Sequence, residues 1–257
     1  MLKYNIIRIF FALLIISMIV IDLFFPFPWF FFLIVIFIYS LFLVFGAIKI
    51  QANFFTNSIN KAKTEKKQIA LTFDDGPVGN STNMVLDILK KNNIEATFFC
   101  IGNRIEAQPE LLKRIHAENH LIGNHSYSHH FFFDLKSAKE MQTELTKTDE
   151  IIQQIIGKKI KLFRPPYGVT NPNLTKAIKA GNYYSIGWSV RSMDTVAKTE
   201  QKLLSNVTDN LKSGDIVLLH DSAKITVENL QKIIDIINAK GFEIVRLDKL
   251  LNIEAYA

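Results

Sequence analysis

Short apolar runs alternate with amphipathic stretches from residue 68 onward, and this alternation constrains the fold more than any other feature. The apolar runs have the length of strands, and the stretches between them carry apolar residues at helical spacing, for example Leu203, Val207 and Leu211. Such alternation is typical of βα units, whose successive strands pair in parallel. Residues 68–257 are therefore predicted to form an α/β domain on a parallel sheet.

The alternation divides this domain into about seven βα units. The predicted strands are Gln68–Phe73, Glu95–Ile101, Leu121–Asn124, Lys161–Arg164, Tyr183–Val190, Asp215–His220 and Phe242–Arg246. The predicted helices are Thr82–Asn92, Pro109–Glu118, Ser137–Ile156, Asn173–Ala180, Glu200–Lys212 and Thr226–Ala239. Several strands end in acidic, histidine or arginine side chains. Because the carboxyl ends of barrel strands meet at one mouth, a (β/α) barrel with one shared site is predicted.

Two apolar runs fill the N-terminal segment, residues 1–50. Residues 9–25 carry a single charge, Asp22, and residues 29–48 carry none. As helices, both are long enough, or nearly so, to cross a hydrocarbon core of about 30 Å. The first run lacks a small-residue cleavage site and the second follows at once, which favours a two-pass transmembrane hairpin over a signal peptide. One span followed by an interfacial helix is the alternative, and residues 51–67 are predicted to be a polar linker.

Three motifs place metal-binding and proton-transferring side chains at the ends of predicted strands. TFDDGP at residues 72–77 supplies two adjacent carboxylates, HSYSH at 125–129 two imidazoles, and RPPYG at 164–168 a guanidinium before a stiff turn. Two histidines at i and i+4 bind a single cation from one face of a helix. One carboxylate completes a three-ligand site with a position open for water, which is the pattern of a catalytic metal. The second carboxylate is then free to transfer protons.

In this order, the motifs resemble those of the polysaccharide deacetylase family, also called the NodB-homology or carbohydrate esterase family 4 domain. The family's motifs read TFDDGP, H-[ST]-x-x-H and approximately R-x-P-Y, and the run IVLLHD at residues 216–221 is similar to its fifth motif. The resemblance extends from about Lys67 to Leu250. It implies a distorted barrel with fewer than eight regular strands, and a hydrolase that removes acetyl groups from N-acetylated sugars.

The motifs assign three predicted metal ligands, Asp75, His125 and His129. This donor set suits Zn²⁺, and Co²⁺, Ni²⁺ or Fe²⁺ would also fit it. Of the other four histidines, three are predicted to lie outside the site; they are His116, His120 and His130.

The other predicted site residues handle protons and charge. Asp74 is the predicted base, and the resemblance implies that Arg164 pairs with it and holds it ionised. The resemblance also implies that the backbone N–H of Tyr167 donates to the oxyanion. His220 is the predicted general acid, because imidazole is the side chain best suited to protonate a departing amine near pH 7.

The chain departs from the family at the fourth motif, which often reads W-S-V-D-x-x-D-W. Arg191 stands where the resemblance implies the aspartate that orients the acid histidine, and Thr195 replaces the terminal tryptophan that lines the acetyl pocket. Asp194 is retained, and it is our candidate for orienting His220. The metal ligands and base are intact, so the chain is predicted to be active.

Composition narrows the partners. The net charge is +6, and the lysines are scattered without an arginine-rich patch, so nucleic acid binding is not predicted. Acidic lipid head groups and anionic glycans remain compatible partners. The single cysteine, Cys100, lies in an apolar run and is predicted to pack as a small hydrophobic side chain.

Three functions follow, in order of preference. The first is metal-dependent removal of N-acetyl groups from a glycan such as peptidoglycan or a chitin-like polymer. The second applies the same chemistry to a lipid-linked amino sugar at the membrane, and the third is non-catalytic glycan binding. Basic residues flank the two apolar runs, and the loop between the runs has none. The positive-inside rule thus places both ends in the cytoplasm, whereas cell-wall glycan lies outside, so the side of the catalytic domain is left open.

Overall fold

A curled parallel sheet forms the centre of the domain, as the alternating sequence pattern predicts. The computed structural model describes residues 3–26 and 28–257. Within them the strands are β1 (Ser58–Ile59), β2 (Gln68–Asp74), β3 (Thr97–Cys100), β4 (Leu121–Asn124), β5 (Leu162–Phe163), β6 (Tyr184–Ile186), β7 (Val190–Arg191), β8 (Ile216–His220) and β9 (Glu243–Ile244). The order across the sheet is β1-β6-β5-β4-β3-β2-β8-β7, with β9 paired to the start of β2, and these pairings are parallel.

Helices precede the sheet and connect its strands. In the described residues they are α1 (Tyr4–Asp22), α2 (Phe30–Ile48), α3 (Gly79–Lys91), α4 (Gly102–Ala107), α5 (Pro109–Ala117), α6 (Ala138–Ile156), α7 (Pro172–Ala180), α8 (Glu200–Thr208), α9 (Lys224–Ala239) and α10 (Leu247–Leu251). Short 3₁₀ turns occur at Ile50–Ala52, Phe133–Leu135 and Pro166–Gly168. The short helices α4 and α10 were not predicted, since neither is long enough to show a helical period.

Strand β2 carries core residues on one face and site residues on the other. Leu71 and Phe73 are fully buried in the cluster that also contains side chains of α3, α5 and α9. Because successive side chains of a strand point to opposite faces, Thr72 and Asp74 point away from that cluster. Asp74 lies beside His220 in the register of β2 and β8. Two predicted site residues therefore end neighbouring strands.

The predicted strand Tyr183–Val190 is wrong as a single element. It forms two separate strands, β6 and β7. The carbonyl groups of Ile186 and Gly187, at the break, accept hydrogen bonds from the buried Arg164 side chain at 3.2 and 2.9 Å. A long-range side-chain contact, which no local pattern shows, thus interrupts the strand.

The predicted linker, residues 51–67, packs against the domain. Within it, β1 pairs with β6, and the hydroxyl groups of Ser58 and Ser185 hydrogen-bond at 2.7 Å. Lys61 forms an ion pair with Asp215 at 2.8 Å. The segment is polar and β1 is very short, so the sequence lacks the apolar alternation that would predict a strand here.

The two N-terminal helices pack against each other through aromatic rings. Phe11 of α1 contacts Tyr39 and Phe42 of α2, with ring centroids 5.1 and 5.9 Å apart. Most of the other apolar side chains of both helices are exposed. Each helix is long and apolar enough to cross a membrane, a test that a signal sequence near the N-terminus also passes. Residues 1, 2 and 27 of the predicted hairpin lie outside the described residues.

Replacing Leu86 with alanine should lower the free energy of unfolding by about 2–5 kcal/mol, because this fully buried α3 side chain would leave a cavity in the core. The control is Leu135→Ala, at a side chain that is 74% exposed. There the change should stay within about 0.5 kcal/mol. Urea unfolding of the detergent-solubilised protein measures both, and equal losses would contradict the assigned core.

Candidate active site

The two adjacent aspartates occupy the end of β2 and the turn after it. Asp74 is the last residue of β2, and Asp75 adopts a left-handed backbone conformation with φ 70°. The Asp75 carbonyl accepts a hydrogen bond from Arg104. A Cβ atom on Gly76 would lie 2.2 Å from the Asp221 carboxylate, so the turn requires glycine here. The turn separates the two carboxylates, which gives them different partners.

The histidine pair lies on an irregular loop, which corrects the expectation that one helical face presents it. The loop follows β4, and Ser126 and His129 have φ values of 63° and 47°. The Ser128 N–H and hydroxyl both donate to Glu144 of α6, each at 2.8 Å. The His125 Nδ1–H donates to the Arg164 carbonyl at 2.8 Å. That bond fixes the ring and leaves the Nε2 lone pair free, as in many metal-binding histidines.

Asp75, His125 and His129 converge as the predicted ligand set requires. One donor atom from each lies within 4.8 Å of the others. Asp75 Oδ1 is 3.5 Å from His125 Nε2 and 3.3 Å from His129 Nε2. In a tetrahedral zinc site with bonds of about 2.0–2.1 Å, neighbouring donor atoms lie roughly 3.3–3.5 Å apart. The donor types and spacing therefore fit a divalent cation.

The charge states of the group also suit a cation. Burial and the nearby His125 lower the pKa of His129 to about 4, so its imidazole is neutral at pH 7. Burial raises the pKa of Asp75, but hydrogen bonding and charge from His125 outweigh this and bring it below its usual range. The group thus offers a carboxylate and a neutral imidazole at neutral pH.

Arg164 and Asp74 form a buried ion pair beneath the ligands. The Arg164 side chain is fully buried and Asp74 is 4% exposed. Arg164 Nη1 donates to Asp74 Oδ1 at 2.7 Å and to the Thr72 hydroxyl at 2.8 Å. The guanidinium also lies 4.1 Å from the Phe99 ring centroid. Asp74 Oδ2 is 3.8 Å from His125 Nε2, so the second oxygen faces the ligand group.

His220 stands at the end of β8 and is held by Asp194. Its Nδ1–H donates to Asp194 Oδ1 at 2.8 Å, and its backbone N–H donates to Asp194 Oδ2 at 2.7 Å. The Thr226 hydroxyl donates to the same carboxylate at 2.6 Å. Asp194 therefore occupies the orienting position that the resemblance had assigned to residue 191. Arg191 itself lies over the Trp188 ring, 5.9 Å from its centroid.

The pKa of His220 is shifted upward, whereas that of His129 is shifted downward. Burial alone would lower the His220 pKa, but the hydrogen bond and the negative charge of Asp194 raise it by more, so that the pKa is about 9. Asp74 and Asp75 add to this rise. A divalent cation bound near these two aspartates would offset their part, whereas the Asp194 contact would persist. His220 is thus set to carry a proton at neutral pH.

Tyr167 closes the opposite side of the site. Its backbone is left-handed, with φ 57°, and its ring lies 4.6 Å from that of His129. Its amide donates no hydrogen bond within the part of the chain that the structure describes. A cavity of about 260 Å³ lies between these side chains, and Gly168, Trp188 and Leu218 complete much of its wall. Tyr167 also lines the cavity.

Asp221, directly after His220, is a fully buried carboxyl group to which the sequence motifs assign no role. Its Oδ2 accepts a hydrogen bond from the Thr82 hydroxyl at 2.6 Å, and burial raises its pKa to about 7. Its place behind Gly76 supports the aspartate turn. The sequence analysis also gave no role to Glu144, which holds the histidine loop. The one sequence signal for it is an acidic residue on the otherwise mainly apolar face of α6.

The three remaining histidines lie outside the site, in agreement with the sequence. His120 is buried, and its Nδ1 accepts a hydrogen bond from the Ala96 N–H at 3.0 Å. Burial lowers its pKa to about 4. His116 contacts the Tyr256 ring, and His130 is exposed.

Comparison with known proteins identifies the family. A polysaccharide deacetylase family model matches residues 61–186. A relative from Bacillus cereus named peptidoglycan-N-acetylglucosamine deacetylase is 35% identical over 210 residues, which cover 80% of this chain and 74% of the relative. The chain belongs to the polysaccharide deacetylase family. Relatives with such names are hydrolases that cleave amide carbon–nitrogen bonds.

Solved structures share the fold. The crystal structure of a peptidoglycan N-acetylglucosamine deacetylase in complex with 4-naphthalen-1-yl-N-oxidanyl-benzamide matches with a TM-score of 0.73 and 33% identity, over 77% of this chain and 94% of that one. A carbohydrate esterase family 4 pseudoenzyme from Bacillus anthracis matches with a TM-score of 0.71 and 28% identity, over 76% of this chain and 69% of that one. The fold therefore occurs with and without catalysis, and function must be argued from the site.

Asp194→Asn should lower the pKa of His220 from about 9 toward its ordinary value of about 6.5. The reason is that the amide removes the negative charge that stabilises the imidazolium. NMR titration of the chelator-treated protein measures the shift. The control is Asp209→Asn, an exposed aspartate of the same part of the chain, which should leave the His220 pKa unchanged. If the His220 pKa stays near 9 in Asp194→Asn, a group other than Asp194 stabilises the protonated imidazole.

Proposed function

We propose that this protein is a metal-dependent hydrolase that removes N-acetyl groups from an amino-sugar glycan. The observation that carries the proposal is the convergence of Asp75, His125 and His129 beside Asp74 and His220 at the ends of β2 and β8. The B. cereus relative is named peptidoglycan-N-acetylglucosamine deacetylase, and we take N-acetylated sugar units of this kind as the proposed substrate.

Each side chain has a distinct task in the proposed reaction. Asp75, His125 and His129 would hold a divalent cation, with Zn²⁺ as the preferred ion. When bound, such an ion polarises the acetamide carbonyl and stabilises negative charge on its oxygen. Asp74 accepts a proton from the attacking water, and Arg164 keeps the Asp74 carboxylate in place.

The remaining groups act on the two ends of the breaking amide. The Tyr167 N–H donates a hydrogen bond to the carbonyl oxygen as charge develops there. His220 donates its proton to the departing amine nitrogen, and Asp194 orients the ring through Nδ1. Without this proton, the nitrogen would have to leave as a strongly basic anion when the carbon–nitrogen bond breaks. Acetate and a free amino sugar are the products.

Helices α1 and α2 support membrane attachment as a two-pass hairpin. Their exposed apolar surface is unusual for a protein in water and suits a bilayer. Membrane attachment is also compatible with a second substrate, namely an N-acylated amino sugar linked to a membrane lipid. The basic residues at both ends favour a cytoplasmic domain, while a cell-wall substrate requires the outer side.

Non-catalytic glycan binding is the competing function, and the pseudoenzyme structure supports only its first part, that this fold also occurs without catalysis. Acetate release by the purified full-length protein decides between them. N-acetylated oligosaccharide, peptidoglycan and a lipid-linked N-acetyl sugar are the substrates to compare. Release that depends on added divalent metal supports the hydrolase, and binding without acetate release supports the alternative.

Removing a predicted ligand should remove the metal. The wild-type protein should hold one divalent ion, and His125→Ala or Asp75→Asn should lose most of it, because two protein ligands are left from three. Metal analysis of the dialysed protein measures this. His130→Ala is the matched control, since this exposed neighbour should not change the metal content. Equal metal content in all four proteins would refute the ligand assignment.

Asp74→Asn should separate proton transfer from metal binding. The variant should keep the ion but turn over about 10²–10⁴ times more slowly, the usual contribution of a general base. Acetate release and metal content are measured on the same sample. Turnover within a factor of two of wild type would show that Asp74 is not the base. Loss of the ion would show that the two aspartates have exchanged roles.

A further inference from the structure

The hairpin joins the domain without a spacer, next to the catalytic cavity. α2 ends at Ile48, and Ile50 is already buried, at 2% exposure, against Trp188 and Leu218. These two side chains are part of the cavity wall. The Thr170 N–H donates to the Ala47 carbonyl of α2 at 3.0 Å. The end of a proposed membrane helix therefore lies directly behind the wall of the site.

The hairpin is held at both of its ends. Besides the α2 contact, the Tyr4 N–H at the start of α1 donates to the Phe54 carbonyl at 3.1 Å. The Tyr4 ring also packs against those of Phe54 and Phe55, with centroids 6.1 and 5.0 Å apart. Two attachments oppose rotation of the domain about a single joint. The side of the domain that carries the cavity is thus kept near the level where the helices end.

One lip of the cavity exposes large apolar side chains. In the loop after the metal-ligand histidines, Phe131, Phe132 and Leu135 are 70%, 54% and 74% exposed. The Phe131 ring lies 6.2 Å from that of Tyr167, which lines the cavity. Asn171 donates to the carbonyl of Asp134 at 2.6 Å, which ties this loop to the segment that contacts α2. The apolar lip is thus one hydrogen-bonded segment away from the hairpin.

The opposite lip is apolar and basic. Met193 and Val196 are 40% and 63% exposed, on the loop that brings Arg191 and Thr195 to the cavity. Lys198 and Lys202 lie in the same surface depression as these two side chains. Apolar side chains on both lips, with cations beside them, resemble the composition of surfaces that enter a lipid interface.

Unpaired cations line a groove at the foot of α1. The groove has a volume of about 640 Å³, and α7 forms its other side. Its basic side chains are Lys3, Arg8, Lys176 and Lys179. None of them forms an ion pair with the residues that the structure describes. Lipid phosphates at the level of a helix end are suited to neutralise such a group.

We propose that the mouth of the active site rests in the head-group layer of an anionic bilayer, with Phe131, Phe132 and Leu135 inserted in it. The inference builds on the proposed function, because it needs the hairpin to be in the membrane. It specifies the substrate class as an N-acylated amino sugar presented at the membrane surface on a lipid carrier. A polymer far from the membrane would not reach a mouth in this position.

Spin labels on the full-length protein in nanodiscs of phosphatidylglycerol and phosphatidylcholine test the contact. Cys100 is fully buried, so an introduced cysteine is the accessible labelling site. The label at Leu135→Cys should be reached more readily by oxygen than by a water-soluble nickel complex. The control is Lys91→Cys, where nickel should reach the label more readily than oxygen. Lys91 is exposed, and α3 runs from the carboxyl end of β2 back toward the start of β3, so its last residue lies away from the cavity. Equal nickel access at both positions would overturn the proposal.

Activity measurements distinguish between two possible partners of the apolar lip, the bilayer and the sugar rings of the substrate. Phe132→Ser with Leu135→Ser should lower turnover of a lipid-linked N-acetyl sugar in the nanodisc by about fivefold or more, since apolar contact with the interface is lost. Turnover of a soluble N-acetylated oligosaccharide should change less than twofold. Equal losses on both substrates would mean that the lip binds sugar rings, and would overturn the proposal. If wild type cleaves neither substrate, the proposed function fails, while the label depths still decide the membrane contact.

Discussion

The buried ion pair between Arg164 and Asp74 is the interaction on which the rest of the site depends. A fully buried guanidinium is stable only when its donors and its charge are matched, and breaking such a pair typically costs about 3–5 kcal/mol. Here Asp74 and Thr72 of β2, the carbonyl of the last residue of β6 and the carbonyl of the residue after it accept hydrogen bonds from Arg164. The Arg164 carbonyl, in turn, fixes the His125 ring. One residue thus joins three strand ends and sets the positions of Asp74, the proposed base, and His125, a proposed ligand.

Around this pair, similar side chains are given different charge states by their surroundings. His129 is kept neutral by burial and a neighbouring imidazole, while His220 is kept protonated by Asp194. A neutral imidazole binds a metal, and a protonated one donates to a leaving group. The parallel sheet makes this possible, because it brings strand ends that are distant in sequence to one mouth.

Much of this was predictable from sequence, and the failures have physical causes. Motif spacing predicted which side chains meet at the mouth of the sheet, because each motif follows a strand whose apolar pattern is local, and their roles as ligands, base and acid remain proposals. The helical geometry expected for His125 and His129 was wrong, since the loop depends on left-handed residues and on Glu144 from a distant helix. The break between β6 and β7 and the burial of Asp221 likewise arise from tertiary contacts. The Asp194 contact with His220 was anticipated as a candidate, and the geometry supports it.

If these residues catalyse metal-dependent hydrolysis of an N-acetyl group, water supplies one oxygen atom of the acetate. Deacetylation in ¹⁸O-labelled water, followed by mass spectrometry of the acetate, tests it most directly. We expect one ¹⁸O atom in each acetate released, no release after the metal is chelated, and recovery when Zn²⁺ is restored. Acetate without the label, or no acetate from the zinc-restored protein on any N-acetylated sugar offered to it, would contradict the proposed hydrolysis.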